Sequence, residues 1–404
     1  MKFDKQKSVI IVAGGEMQIP AIKTARDLGF FVIVSDKDPD AAGFKYADMS
    51  LVMNTKDIDA HVKFALENKV KMNIVGAFAA ADVAVTVAAI TNALKLPGIP
   101  MDVAYASNNK AEMKRRWLRD GVPTPYSIEV STLEEARKAI VKIGEFPVMI
   151  KAIDNAASRG SKKIISYEEL PDALEDAKNH STTRTALVEE FVEGKEYSVE
   201  TVVFNGVHYH YGMGDRIFGF APYAIEIGHV DPSRLSIKEQ DEINKVVDRA
   251  AESLGINFGP AKADMIVTKK GPMVLEMPAR LSGGWHSQYT SPLATGRDPI
   301  RDVLRISTGG TMDIENTIPK FNKVSICKAV FPKPGKLLKI SGVKEAASIP
   351  GVAKVIVVVK EGDIIEPYHN CGNRVCYIIT VGEDEKEAFD IWDKAAATIK
   401  FETN

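Results

Sequence analysis

One stretch of this chain places two carboxylates where they can share a metal. It runs Ala261-Lys262-Ala263-Asp264-Met265-Ile266-Val267-Thr268, then Lys269-Lys270-Gly271, then Pro272-Met273-Val274-Leu275-Glu276, and reads as strand, three-residue loop, strand. With Thr268 opposite Pro272, Ile266 faces Val274 and Asp264 faces Glu276. Such cross-strand partners lie about 4.5–5.5 Å apart at Cβ, so two carboxylates there repel. Either one keeps its proton or a cation sits between them; a one-residue slip of register would instead turn one to solvent. Mg2+ is usually held by one or two carboxylates, with water and substrate phosphates completing its shell. Asp264 and Glu276 are therefore the candidate metal ligands. Just downstream, Arg280-Leu281-Ser282-Gly283-Gly284 adds a guanidinium, which grips phosphate or carboxylate through two parallel hydrogen bonds.

The elements that must position these groups fall into three units. In the first, the apolar run Val9–Val12 and Phe30–Val34 read as strands, with Ile19, Ile22, Ala25 and Leu28 at helical spacing between them. Asn73–Gly76 reads as a further strand and Asp82–Leu94 as a helix. Alternating strand and helix signals predict a parallel sheet with helical crossovers. The second unit opens near Ser107-Asn108-Asn109-Lys110 with a helix to Arg119 and continues in alternating strands and helices. Asp215–Asp231 reads as a long polar loop, and Lys238–Leu254 as a helix ahead of the carboxylate hairpin. The third unit starts near Lys320, is punctuated by Pro332-Lys333-Pro334-Gly335 and Ile349-Pro350-Gly351, and closes on a helix over Glu385–Ile399. The expected division is 1–106, 107–318 and 319–404, an α/β chain with a small α+β end.

Composition narrows the function. The chain has 404 residues, 45% hydrophobic and 26% charged, with a net charge of −2. That balance gives no global field for a nucleic-acid backbone or an anionic membrane. Phosphate binding must come from locally placed lysines. No apolar run approaches the roughly 20 residues needed to cross a bilayer. The start, MKFDKQKS, lacks the apolar segment of a secretory leader. Three cysteines cannot frame a chain of this length with disulfides, and a cytoplasmic protein is expected.

Two patterns are decoys. Ala13-Gly14-Gly15-Glu16 after the first strand, with Asp36 further on, approaches a dinucleotide fingerprint but lacks its third glycine. It reads as a tight turn and helix start, whose free N–H groups suit a substrate carboxylate. His369, Cys371 and Cys376 lack zinc spacing and a fourth ligand; Cys376 lies in a strand-like run and reads as a buried thiol.

Taken in order, these segments resemble the ATP-grasp ligases over nearly the whole chain, in particular the L-amino acid ligases and the glycinamide ribonucleotide synthetase-like members. Lys110 in Asn109-Lys110, and Lys151 closing Phe146-Pro147-Val148-Met149-Ile150-Lys151, resemble the two lysines that hold ATP phosphates in that family. Ala152–Ser161 resembles the loop that closes over the phosphates, with Ser158 and the amides near Gly160 as donors. Relatives often carry several glycines there, and this loop has Gly160 alone. Leu187–Val199 resembles the adenine hinge. The resemblance implies nucleotide contacts from Glu189, Glu190 and Val192, with Glu196 accepting from the ribose hydroxyls. Pro278 stands where relatives commonly have an Asn that helps bind a second metal, so a water replaces that ligand or Glu276 holds the metal alone.

The resemblance implies a fold with an N-terminal parallel-sheet domain, a central ATP-grasp domain with a mobile lid over about 126–187, and a small C-terminal domain. It implies ATP and Mg2+, or Mn2+ in its place, as cofactors. The activity implied is ligation of a carboxylate to an amine through an acyl phosphate. Lys151, Glu276 and Arg280 would serve the phosphoryl transfer, which rests on positioning and charge neutralisation. Arg216 would hold a substrate carboxylate, Glu226 an ammonium, and His229 a hydrogen bond or a proton; Glu16, Arg280 and Trp285-His286 are further substrate candidates. A purine-pathway enzyme activating formate or bicarbonate, and a nucleotide-binding module without turnover, fit the same segments. Small-molecule substrates and a homodimer are expected, the dimer by analogy.

Overall fold

The structure, a computed structural model, describes residues 6–404. Residues 1–5, which belong to the start read as lacking a leader, lie outside the described residues. Strands are numbered along the chain. β1 (Ser8–Val12), β2 (Phe31–Asp36), β3 (Met49–Val52) and β4 (Ile74–Phe78) form a parallel sheet in the order β3-β2-β1-β4. β1 is buried along its whole length, as its unbroken apolar run requires. The strand order reverses at β1, and the crevice beyond the carboxyl ends of the strands opens there.

β5 (Ser127–Val130), β6 (Val148–Ala152), β7 (Ser161–Ile164) and β8 (Ala186–Glu190) make a separate antiparallel sheet in the order β5-β8-β6-β7. Helices Leu133–Ile143 and Leu170–Asn179 pack against it, burying Ala136, Ile140, Leu174 and Ala177 with Ile150 and Val188. This is the segment expected as a lid, and its last strand runs beyond Leu187 to Glu190.

β9 (Lys195–Phe204), β10 (Val207–Gly219), β11 (Ile225–Asp231), β12 (Phe258–Thr268), β13 (Gly271–Glu276) and β14 (Val324–Val330) belong to the largest sheet. β15 (Gly335–Ser341), β17 (Ile364–Ile365) and β19 (Lys400–Thr403) form a small sheet of their own, while β16 (Val352–Val357) and β18 (Cys376–Gly382) return to the large one. Its order is β13-β12-β9-β10-β11-β14-β18-β16. The third unit thus continues the second: β14 pairs with β11, His229 opposite Cys327. Behind the sheet, helices Lys110–Arg119 and Ile237–Leu254 share a core with Val199, Ala263 and Met265, and Trp117 Nε1 donates to Ala250 O at 3.1 Å.

Two sequence expectations are corrected. Asp215–Asp231 is no loop: most of it is the end of β10 and all of β11, paired with Arg216 opposite His229. Only the tip, 220–224, lies between strands. Its polar side chains look loop-like in sequence because several face a cleft. The carboxylate hairpin has a two-residue loop, with Thr268 opposite Gly271 and Val267 opposite Pro272. A bulge then restores Asp264 to Glu276.

Candidate active site

The edge of the large sheet, the lid sheet, the β1 end of the N-terminal unit and the C-terminal loop enclose a cleft of about 720 Å³. Asp264 and Glu276 line it from β12 and β13, directly opposed. Their repulsion is relieved by cations. Lys262 Nζ hydrogen-bonds Asp264 Oδ1, Arg216 lies 3.0 Å from the same oxygen, and Lys110 Nζ lies 3.2 Å from Glu276 Oε1. Burial opposes ionisation of Asp264, but Arg216 and Lys262 outweigh it and hold the carboxyl down at about 2. Asp264 therefore presents an ionised carboxylate to the cleft. Among the described residues no cluster of three or more His, Cys, Asp or Glu forms a self-sufficient metal centre. Two hard oxygen donors fit a divalent ion whose other ligands are phosphate and water. Pro278 adds no side-chain oxygen.

The lysines converge from different elements. Lys110 opens the helix Lys110–Arg119, capped by Asn109, whose side chain accepts from Glu112 N at 3.0 Å. Lys151 comes from β6 of the lid and bonds Glu189 Oε1 at 2.5 Å. Lys114, one helical turn beyond Lys110, donates to Thr124 Oγ1 at 2.8 Å and forms an ion pair with the other oxygen, Glu189 Oε2, at 2.9 Å. Burial presses Lys114 down to about 8, against the pull of Glu189. Glu189 is buried at the cleft wall, where its two oxygens pair with Lys114 and Lys151. Glu190 follows at the strand end with its N–H donating to Tyr126 O at 2.8 Å, and Glu190, Phe191 and Val192 line the cleft.

Arg216 on β10 sits at the centre of three carboxylates. Its guanidinium is 3.0 Å from Glu196, 2.9 Å from Glu226 and 3.0 Å from Asp264. Burial opposes ionisation of Glu226, yet Arg216 and then His229 hold it at about 2. Burial pushes Glu196 the other way, above the usual carboxylate range, in spite of Arg216. His229 Nε2 shares a hydrogen with Thr290 Oγ1 at 2.8 Å, and burial holds this ring neutral, with its pKa down at about 3.

The remaining sequence candidates divide. Arg280 lines the cleft with its Nε hydrogen-bonded to Asp82 and its Nη1 2.9 Å from Leu281 O. Glu16 stands exposed on the cleft wall beside the Gly14-Gly15 turn, where Gly14 N already donates to Asp36 Oδ2 at 2.8 Å. Trp285 and His286 line the cleft as well. Ser158 reaches the cleft, but its hydroxyl donates to Ala224 O at 2.8 Å. Gly160 does not line it. At φ +63° the residue packs on the lid helix, and a Cβ there would meet the Ala177 backbone at 3.0 Å. Cys376 is buried in β18, its thiol pushed up to about 12 by burial.

The chain is similar to known proteins. A family model described as ATP-grasp domain matches residues 144–289, and one described as L-amino acid ligase C-terminal domain 2 matches 329–404. The chain therefore contains an ATP-grasp domain in its middle and an L-amino acid ligase-type domain at its C-terminal end. It is 26% identical over 385 residues to an uncharacterised protein of Sinorhizobium fredii (strain NBRC 101917 / NGR234), covering 94% of this chain and 79% of that one. Its fold matches the crystal structure of an L-amino acid ligase from Bacillus licheniformis with a TM-score of 0.85 at 20% identity, over 99% of this chain and all (100%) of that one. It also matches the biotin carboxylase domain dimer of Hydrogenobacter thermophilus 2-oxoglutarate carboxylase, solved with MgADP and bicarbonate. There the TM-score is 0.75 at 20% identity, over 98% of this chain and 90% of that one.

Three cleft residues, Lys114, Asp82 and Lys262, escape sequence reading. Lys114 hides in a helix rich in basic residues; its one signal is the four-residue offset from Lys110, which puts both on one face. Asp82 and Lys262 carry no motif. His286 Nε2 lies 2.6 Å from Asp231 Oδ2 and Nδ1 lies 3.9 Å from Glu200 Oε2, all three buried. Burial opposes the charged ring, but Asp231 and Glu200 raise its pKa to about 10, so His286 is an imidazolium edge-on to neutral His229. Among the described residues no helix is long and apolar enough to cross a membrane.

Proposed function

We propose that the chain activates a carboxylate as an acyl phosphate with ATP and joins it to an amine, releasing ADP and phosphate. The observation that carries this is the opposed Asp264–Glu276 pair set among Lys110, Lys262, Arg216 and Arg280. Only a highly charged, transferring group needs two acceptor carboxylates and so many cations in one water-limited cleft.

In this reading, adenine lies against the hinge of Glu190, Phe191 and Val192, and Lys110 and Lys151 meet the phosphates. A divalent ion such as Mg2+, when bound, would be held by Asp264 and Glu276 and would neutralise charge between the β- and γ-phosphates. Lys114 supports Lys151 by sharing Glu189. Arg280, aligned by Asp82, neutralises the transferring phosphoryl group and orients the acid. The lid sheet, carrying Lys151, excludes water from the acyl phosphate. The amine then attacks the acyl carbon, the C–O bond to phosphate breaks, and the amine proton leaves to solvent or a cleft carboxylate.

Arg216 takes a role different from the one its sequence position suggests. Held by three carboxylates, it keeps Glu226 and Asp264 ionised and leaves the substrate to other groups. A homodimer is proposed as the assembly, after the dimer of the biotin carboxylase domain. The test is phosphate release with Mg-ATP against amino acids and small carboxylates, singly and in pairs, with mass spectrometry of products. Release requiring one acid and one amine, with a product mass equal to their sum less water, supports the ligase. Release driven by formate or bicarbonate alone supports activation of a one-carbon acid.

A further inference from the structure

The cleft holds its cations in pairs with acids, with one exception away from solvent. Lys110 is paired with Glu276, Lys114 and Lys151 with Glu189, Lys262 with Asp264, Arg280 with Asp82, and Arg216 with three carboxylates. Arg159 also lines the cleft without an ion pair, but it is exposed, where water screens its charge. Arg374 is different. It is drawn inward from the C-terminal loop ahead of β18, lines the cleft, and makes no ion pair among the described residues. Its Nε donates to Cys371 O and its Nη1 to Glu226 O, both at 2.8 Å, and its guanidinium lies 5.1 Å from the Tyr377 ring centre.

Every one of those partners is a backbone carbonyl or a ring. They fix the guanidinium in place, and the one carboxylate that acts on it, Glu226, forms its ion pair with Arg216 instead. A partly buried cation so held loses hydration and regains it only from an anion. Its position says which anion. Arg374 touches Glu226, Glu226 holds Arg216, and Arg216 holds Asp264. Two residues thus separate Arg374 from the site of phosphoryl transfer, and Glu226 and His229 lie between as polar neighbours. A guanidinium there reaches a substrate group remote from the phosphates.

We propose that Arg374 is a specificity-determining residue that anchors a free carboxylate of the substrate, one that is not phosphorylated. The natural carrier is the amine partner, which makes it an amino acid and not a simple amine. The inference rests on the ligase reading above. It assigns the C-terminal unit a part in choosing substrate, beyond covering the cleft.

The test compares each active amino acid with its carboxamide, and each active dicarboxylate with its monoamide, in wild type, Arg374→Ala and Arg374→Gln. The Gln variant keeps a hydrogen-bond donor for the carbonyls and removes the charge, so it reports if the Ala variant misfolds. Wild type should prefer the free carboxylate by at least about 100-fold in kcat/KM, the scale of a charge-assisted bond left unmade. Both variants should bring that preference to within about 10-fold through KM of the one substrate, with KM for Mg-ATP unchanged. Loss on the amine side or the acid side identifies which substrate carries the carboxylate. A folded Arg374→Gln that keeps the wild-type preference overturns the proposal. If no pair releases phosphate, the ligase reading fails, and calorimetry of the twenty amino acids with the Mg-ADP-loaded protein decides Arg374 alone. Binding present in wild type and lost in Arg374→Gln supports the anchor; binding of none, or binding unchanged in the variant, overturns it.

Discussion

Asp264 and Glu276 face each other because β13 carries one extra residue. Below them the hairpin pairs Met265 with Val274, and in a regular ladder Leu275 would come next, opposite Asp264. The bulge absorbs Leu275 and brings Glu276 to the cleft face instead. The carboxylate pair is thus built by local backbone irregularity, as bulges near functional sites commonly do.

Removing the charge of one partner tests the pair. Glu276→Gln should lower Mg-ATP turnover by at least about 100-fold, the scale seen when a preorganised electrostatic group is lost. Folding should be kept, since Lys110 retains its bond to Asn155 O at 2.5 Å. A folded variant that makes ADP at the wild-type rate would remove Glu276 from the metal site.

Lys151→Ala should weaken ATP binding by roughly 10- to 100-fold, the range of one charge-assisted contact. Calorimetric titration checks it. Unchanged affinity would mean that Lys151 serves Glu189 alone.

Lys114 makes nucleotide binding sensitive to pH. Burial holds its pKa at about 8 in the folded protein, below the usual lysine value of 10.5. The cost of burying the ammonium is therefore fully present below pH 8 and is relieved as pH rises from about 8 toward 10.5. Incoming phosphates restore the charge, so ATP binding near pH 8.5 should take up a proton. Titrations in buffers of different ionisation enthalpy would show it, and Lys114→Met should abolish it. Equal proton uptake by wild type and Lys114→Met would contradict the assignment.

His286 runs the other way. Its folded pKa of about 10 exceeds 6.5, so its stabilisation is complete below pH 6.5 and is lost as pH rises through 10. His286→Gln leaves Asp231 and Glu200 buried without their cation and should cost about 3–5 kcal/mol at neutral pH in urea denaturation. The gap to wild type should narrow toward pH 10. A constant gap across that range would show that His286 is neutral.

Much of this was legible in the chain, and the failures have physical causes. Period-two alternation was enough to oppose Asp264 and Glu276, yet it could not see that a shorter turn and a bulge together produce the same pairing. Apolar runs located β1, β6 and the helix Ile237–Leu254, each of which packs into a core of its own. Arg216, Glu226 and His229 were found as chemical residues but misread as a loop, since strands that face a charged cleft lose their apolar alternation. Lys114 and Arg374 carry meaning only through contacts far apart in sequence, such as Arg374 with Glu226 O; His286 was a candidate, but its pairing with Asp231 was not legible. The pairing of Glu189 with both Lys114 and Lys151 was not legible either, because it joins three elements far apart in sequence.

The most direct measurement follows oxygen. With the activated acid labelled by 18O in its carboxylate, Mg-ATP and the amine partner, the released phosphate is analysed by mass spectrometry. Attack of the carboxylate on the γ-phosphate predicts one 18O in each phosphate and one retained in the amide. Phosphate free of label, or label found in AMP with release of pyrophosphate, would contradict an acyl phosphate made in this cleft.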